Sequence, residues 1–82
     1  MTPQEIWEYK MRWRPKAIAC HLHSDLFFEG REWCKEHLPK KGWDLQTWTE
    51  IYQHTFYFEH ACHAEQLAAE YPDFARVEYP NP

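Results

Sequence analysis

The chain has 82 residues, a formal net charge of −4, and five each of Trp, Tyr and Phe. This length suits a single domain over residues 1–82, and because so small a domain buries only about 60% of its unfolded surface, we expect the aromatic side chains to form much of the core. No apolar run approaches the roughly 20 residues of a transmembrane helix, and an acidic total argues against non-specific binding to duplex nucleic acid. Three cysteines without disulfide-type spacing, and no signal-peptide pattern at the start, predict a cytoplasmic protein with reduced thiols.

Residues 1–14 predict an N-terminal helix. Thr2 can cap it, Pro3 suits its first position, and Glu5 completes a capping box. Pro15 ends it. Apolar side chains cover a broad arc of this helix, which must therefore dock on its own domain or on a partner. They are Ile6, Trp7, Tyr9, Met11 and Trp13.

Residues 16–79 predict the α+β core. Its first strand is Lys16–Ser24, where apolar and polar residues alternate. A helix follows that begins at Asp25 or Glu29 and ends at Leu38. On the strand, side chains alternate between two faces. One face carries Ile18, Cys20 and Leu22, and the other carries Ala17, Ala19, His21 and His23.

The β-forming segment after the Lys40–Gly42 turn is too long for one ordinary strand. We divide it into a strand at Trp43–Trp48, a connection at Thr49–Tyr52, and a strand at Gln53–Glu59. A short helix at Asp44–Ile51 stays open as the alternative.

The chain then predicts a helix at His60–Tyr71 and a closing strand at Ala75–Tyr79. The inner face of that helix is apolar. It carries Ala61, Ala64, Leu67, Ala68 and Tyr71. Behind the N-terminal helix the element order is βαββαβ, which predicts a ferredoxin-like split βαβ fold with an antiparallel sheet.

Three segments resemble small hypothetical proteins of tailed phages, particularly those that infect marine cyanobacteria. These segments are Ile6–Trp13, His23–Lys35 and Tyr52–Glu59. The resemblance spans most of the chain up to Phe58. It implies no activity, but it implies a protein that acts in the cytoplasm of an infected bacterium, where small phage proteins often adjust host machinery or counter defences.

Pairs of His and Cys residues raise the question of a metal. They are His21 with His23, Cys34 with His37, and His60 with His63. Zinc needs about four ligands, or three and a water, and no C-x2-C or H-x3-H spacing is present. With no nucleophile motif, a single Ser and two Gly, the chain also lacks the means for common catalysis. We expect no enzyme, no catalytic residue, no cofactor and no bound metal; a small zinc domain is kept as an alternative.

The predicted sheet face away from the helices offers a second alternative. If the first and third strands are neighbours, His21 and His23 lie beside Tyr57 on that face, with Arg76 on the closing strand. Sheet faces of this kind stack bases in RNA-recognition domains. The alternative function is therefore a binder of nucleotides or single-stranded nucleic acid, although the acidic charge makes nucleic acid an unfavourable partner.

The leading hypothesis is a non-enzymatic protein that docks on a host or phage protein, with self-association also open. Trp and Arg carry much of the energy of protein interfaces. The predicted partner-binding residues are Trp7, Arg12, Trp13, Arg14 and Trp48. Other aromatic residues follow the inner faces of predicted elements, so we expect them in the core. They are Trp33, Trp43, Phe56, Phe58 and Tyr71.

Overall fold

The structure is a computed structural model that describes residues 1–48 and 53–80. Within these residues it is α+β, with three α-helices and four strands. The elements are α1 (Pro3–Trp13), β1 (Ile18–His23), α2 (Phe27–His37), β2 (Trp43–Trp48), β3 (Gln53–Phe58), α3 (Ala61–Glu70) and β4 (Ala75–Glu78). Residues 43–48 are a strand, as predicted, and the predicted connection Thr49–Tyr52 lies outside the described residues.

The strands form one open sheet in the order β2-β3-β1-β4, and every neighbouring pair is antiparallel. In the register, His21 of β1 lies opposite Thr55 of β3 on one side and Arg76 of β4 on the other. Helices α2 and α3 pack on one face of this sheet, and α1 precedes the sheet as predicted. The edges of the sheet are therefore β2 and β4.

The core lies between the sheet and helices α2 and α3. Phe56 and Phe58 of β3 are completely buried, which confirms their predicted place. The other aromatic residues that we expected in the core are partly buried and pack against it. They are Trp33, Trp43 and Tyr71. The inner face predicted for α3 is also confirmed, since each of its residues contacts this core.

Side-chain capping explains where α1 begins, whereas a 3-10 turn precedes α2. Thr2 and Glu5 form the predicted capping box, in which the Glu5 backbone N–H donates to the Thr2 hydroxyl oxygen at 3.2 Å. The prediction that α2 begins at Asp25 or Glu29 was wrong, because a 3-10 turn over Ser24–Leu26 comes first and α2 begins at Phe27. Asp25 donates its backbone N–H to His23 Nδ1 at 3.2 Å, so it belongs to the turn.

Helix α2 lies close to the sheet at Gly30, which is buried. A Cβ atom at this position would lie 2.5 Å from Leu22 Cδ2 and 3.1 Å from Phe56 Cζ. Because both neighbours are themselves buried, the absence of a side chain allows the helix and sheet to make contact here.

Two of the three cysteines are inaccessible thiols in this core. Burial raises the pKa of Cys20 to about 11 and that of Cys34 to about 12, whereas Cys62 is exposed on α3. Since the thiolate is the nucleophile, a buried thiol with a raised pKa reacts slowly.

We expect Ellman's reagent at pH 8 to modify Cys62 rapidly and the two buried thiols at least about 100-fold more slowly, because they react only when the core opens. The measurement is thiol release with time, with and without denaturant. The Cys62→Ser variant serves as control and should lose the rapid phase. Rapid release of more than one thiol from the native protein would contradict the buried placement of Cys20 and Cys34.

Candidate binding surfaces

Helix α1 is held on the domain by polar side chains, and none of its residues is fully buried. The Tyr9 hydroxyl donates to a Glu59 carboxylate oxygen at 2.6 Å, and Trp13 Nε1–H donates to the Lys41 carbonyl at 2.9 Å. The hydrogen bond to Glu59 raises the pKa of Tyr9, because the carboxylate favours the protonated phenol. The Lys41 ammonium also lies 5.1 Å from the centre of the Tyr9 ring. These contacts fix one side of α1.

A second group of contacts joins α1 to the sheet face opposite α2 and α3. The Arg14 guanidinium lies 3.8 Å above the centre of the Tyr57 ring, and its Nε is 3.4 Å from Asp44 Oδ2. Lys10 Nζ is 3.9 Å from Asp44 Oδ1. Tyr57 points to this face because its neighbours Phe56 and Phe58 point into the core. A cation that both stacks on an aromatic ring and pairs with a carboxylate is a stable attachment point.

The remaining side of α1 faces solvent. Trp7 is 56% exposed and Met11, one turn further along the helix, is 40% exposed. Residues four apart lie on the same side of a helix, so these two side chains form one apolar strip, the Trp7–Met11 strip. Arg12 is also exposed on α1.

The structure therefore separates the five residues predicted to bind a partner. Trp7 and Arg12 face solvent, whereas Trp13 and Arg14 are partly buried and attach α1 to the domain. Trp48 is the last residue of β2, where its backbone pairs with Gln53. The side chain of Trp48 lies outside what the structure describes.

On the same open sheet face, His21 bridges two strands. Its Nε2–H donates to Glu78 Oε2 at 2.7 Å, and its Nδ1 is 3.1 Å from Thr55 Oγ1. The hydrogen bond from His21 lowers the pKa of Glu78, since it stabilises the carboxylate. The order hydroxyl, imidazole, carboxylate matches that of a nucleophile with its base. However, Thr55 is only 1% exposed, so its hydroxyl is shielded from solvent, and the contacts of His21 join β1 to β3 and β4.

A cavity of about 490 Å³ opens beside His21 on this face. It brings together two of the four residues predicted for a nucleotide or single-strand site, His21 and Tyr57. The other two, His23 and Arg76, are exposed and do not line it. One face of the Tyr57 ring is covered by the Arg14 guanidinium at 3.8 Å, so a base cannot stack there without displacing Arg14.

A second cavity of about 490 Å³ lies along the β2 edge of the sheet. Sequence analysis did not identify it, because its cations come from separate elements. We call it the edge groove. It is lined by Lys10 of α1, Arg31, Lys35 and Leu38 of the α2 region, Lys40 of the following turn, and Trp43, Asp44 and Leu45 of β2.

In the described residues, the three candidate ligand pairs are not joined into a larger group of metal ligands. Among residues 1–48 and 53–80, no group of three or more His, Cys, Asp or Glu side chains is arranged to hold an ion. The His60 and His63 rings meet edge to face with centroids 5.5 Å apart, and burial lowers the pKa of His63. Cys34 is buried in the core, whereas His37 is exposed and donates its Nδ1–H to the Trp33 carbonyl at 2.9 Å.

Comparisons with protein-family models, with curated proteins and with solved structures found no match. In the described part of the chain, no helix has both the length and the apolar character needed to span a membrane. The class that the fold defines is thus a small α+β domain with an open antiparallel sheet.

Proposed function

We propose that this protein is a non-enzymatic binding protein that acts in the cytoplasm and docks on another protein through the Trp7–Met11 strip and the exposed Arg12 of the same helix. The observation that carries the proposal is the division of α1 into two sides. Tyr9, Trp13 and Arg14 hold the helix in place, while a Trp that is 56% exposed points outward. A fixed helix with an outward Trp suits an interface, because Trp, Met and Arg are enriched there.

We further propose that the domain has the ferredoxin-like split βαβ fold, which the strand order β2-β3-β1-β4 supports, with α1 as an addition to it. The resemblance to small phage proteins suggests a host or phage protein as the partner. In this fold a nucleotide or single-strand site on the open face has less support, since Arg14 occupies one face of Tyr57.

Site-specific photo-cross-linking tests the proposal. Benzoylphenylalanine in place of Trp7 is expected to cross-link one discrete protein in a lysate of a marine cyanobacterium. The matched control places the same cross-linker at Phe28 of α2, an aromatic residue that is 69% exposed. Excess unlabelled wild-type protein should compete with the cross-link, and the Trp7→Ala variant should compete at least about tenfold less well, a difference of about 1.4 kcal/mol.

The stability of two alanine variants checks that the loss comes from binding. Trp7→Ala should change the free energy of unfolding by about 0.5 kcal/mol or less, as exposed substitutions do. Trp13→Ala should cost about 1–2 kcal/mol, because it removes a partly buried ring and its hydrogen bond to Lys41. The docking proposal is contradicted if the cross-linker at position 28 captures the same protein as the cross-linker at position 7. It is also contradicted if Trp7→Ala competes as well as the wild-type protein. A cross-link to a second copy of the chain would identify self-association instead.

A further inference from the structure

The edge groove is lined by apolar side chains and by more cations than carboxylates. The apolar residues are Leu38, Trp43 and Leu45. Among the residues that the structure describes, no carboxylate lies within 4.0 Å of Arg31 or Lys40. Lys35 Nζ is 3.7 Å from Glu32, an exposed pair that contributes little. Lys10 shares Asp44 with Arg14. A ligand of this groove would therefore carry negative charge and apolar groups.

Backbone groups of β2 also face the groove side of the sheet. The Gly42 carbonyl accepts the Glu59 N–H at 3.1 Å, so residue 42 belongs to a hydrogen-bonded pair with β3. Such pairs alternate along an antiparallel ladder, so Trp43 and Leu45 direct their N–H and C=O groups away from β3. The Leu45 N–H is bonded to Asp44 Oδ1 at 2.9 Å, which agrees with this direction. The other outward groups of Trp43 and Leu45 form an edge to which a further strand can pair.

From these two features we propose that the edge groove binds an extended acidic peptide, which adds to the sheet as a fifth strand beside β2. Main-chain hydrogen bonds to Trp43 and Leu45 align the peptide. Its carboxylates pair with Arg31, Lys35 and Lys40, while its apolar side chains cover Leu38 and Leu45. This surface is separate from the Trp7–Met11 strip, so the proposal stands independently of the docking function.

Charge also decides against the simplest other occupant, the β2 edge of a second copy. Two such edges would bring the same cations together, and charged edge residues are a known protection against self-pairing. An acidic strand removes this repulsion. The cations that prevent association with another β2 therefore select the partner.

Fluorescence anisotropy with synthetic peptides tests the inference on the full chain at low salt. The probe is a fluorescein-labelled, N-acetylated peptide of eight alternating Glu and Val residues. One comparison peptide replaces Glu with Gln, and another keeps every Glu but replaces the two central Val residues with Pro. The alternating Glu-Val peptide should bind at least about tenfold more tightly than either, since it alone has both the charge and a strand-forming backbone.

A matched pair of variants locates the site. Arg31→Glu combined with Lys35→Glu should weaken binding of the Glu-Val peptide by at least about tenfold, a coupling typical of close charge pairs. Arg12→Glu combined with Lys16→Glu makes the same change in net charge at exposed positions outside the groove, and should weaken it by less than about threefold. Amide hydrogen exchange at Trp43 should slow when the peptide is bound.

Three results would overturn the inference. Equal losses in the two double variants would indicate non-specific attraction. Equal affinity for the Pro-containing peptide would exclude strand addition. If the Glu-Val peptide shows no detectable binding to the folded wild-type protein, the proposed peptide site does not exist. Circular dichroism of each variant checks that the fold is intact.

Discussion

Replacement of Phe56 with alanine is expected to lower the free energy of unfolding by about 3–5 kcal/mol. Phe56 is 0% exposed at the centre of β3, where its ring stacks with that of Trp43 at a centroid distance of 6.4 Å and reaches Gly30 of α2. Alanine would leave a cavity between the sheet and the helix. Because a domain of this size has a total stability of only about 5–10 kcal/mol, the change removes much of it.

Urea unfolding followed by Trp fluorescence measures this loss. Phe56→Leu is the matched control and should cost less than about 1.5 kcal/mol, since it keeps most of the apolar volume. If Phe56→Ala and Phe56→Leu have the same stability, the cavity at this position does not form and the packing described for Phe56 is incorrect.

The second large effect is expected from Gly30→Ala, with a loss of about 2 kcal/mol. On an exposed helix the same change would stabilise by about 1 kcal/mol, because alanine is the better helix former. Here the new methyl group would meet Leu22 Cδ2 at 2.5 Å, and Leu22 is 1% exposed. Overpacking of a buried site costs about 1–3 kcal/mol before the helix gain is considered, and the close contact places this site at the upper end.

A double-mutant cycle with Leu22→Val identifies the cause. Valine lacks the Cδ2 atom that the methyl group would meet, so Gly30→Ala should cost about 1–2 kcal/mol less in the Leu22→Val background than in the wild type. The free energy of unfolding in urea gives all four corners of the cycle. An additive result, with no coupling between positions 22 and 30, would contradict a close approach of α2 to β1.

Local sequence signals predict much of this fold. The capping box at Thr2 and Glu5 depends on residues within one turn, and the structure contains it. The alternation in β1 places Cys20 and Leu22 in the core, and the helical spacing in α3 places Leu67 there. These features are predictable because residues close in the chain determine them.

Other features depend on contacts between distant residues, and sequence patterns do not show them. The stacking of Arg14 on Tyr57 joins residues 43 positions apart, so the sequence near Arg14 gives no sign that this residue attaches the helix. The close approach of α2 to the sheet at Gly30 does have a sequence signal. An isolated Gly inside a predicted helix often indicates close packing at that position.

The edge groove was missed for the same reason. Lys10, Arg31 and Lys40 are far apart in the chain, and only the packing of α1, α2 and the following turn around β2 assembles them. In the sequence, residues 1–41 carry a charge of +2 and residues 42–82 a charge of −6. The sequence alone does not show where these charges lie on the surface of the folded domain.

The order of the strands in the sheet determines where these charges lie. Edge strand β2 lies beside the cations of the edge groove, whereas β4 at the opposite edge packs with α3. The segment from α3 to β4 contains one cation, Arg76, and four carboxylates, which are Glu65, Glu70, Asp73 and Glu78. The residues that line the β2 edge are therefore more positive than those at the β4 edge. The molecule measures 34 × 30 × 26 Å. At an ionic strength of about 0.1 M the Debye length is only about 10 Å, so salt screens these charges over such a distance. At about 0.01 M the Debye length is about 30 Å, and the charges act across the whole molecule. An approaching acidic segment would then be turned towards β2 before contact, which raises the rate of association rather than the strength of the final complex.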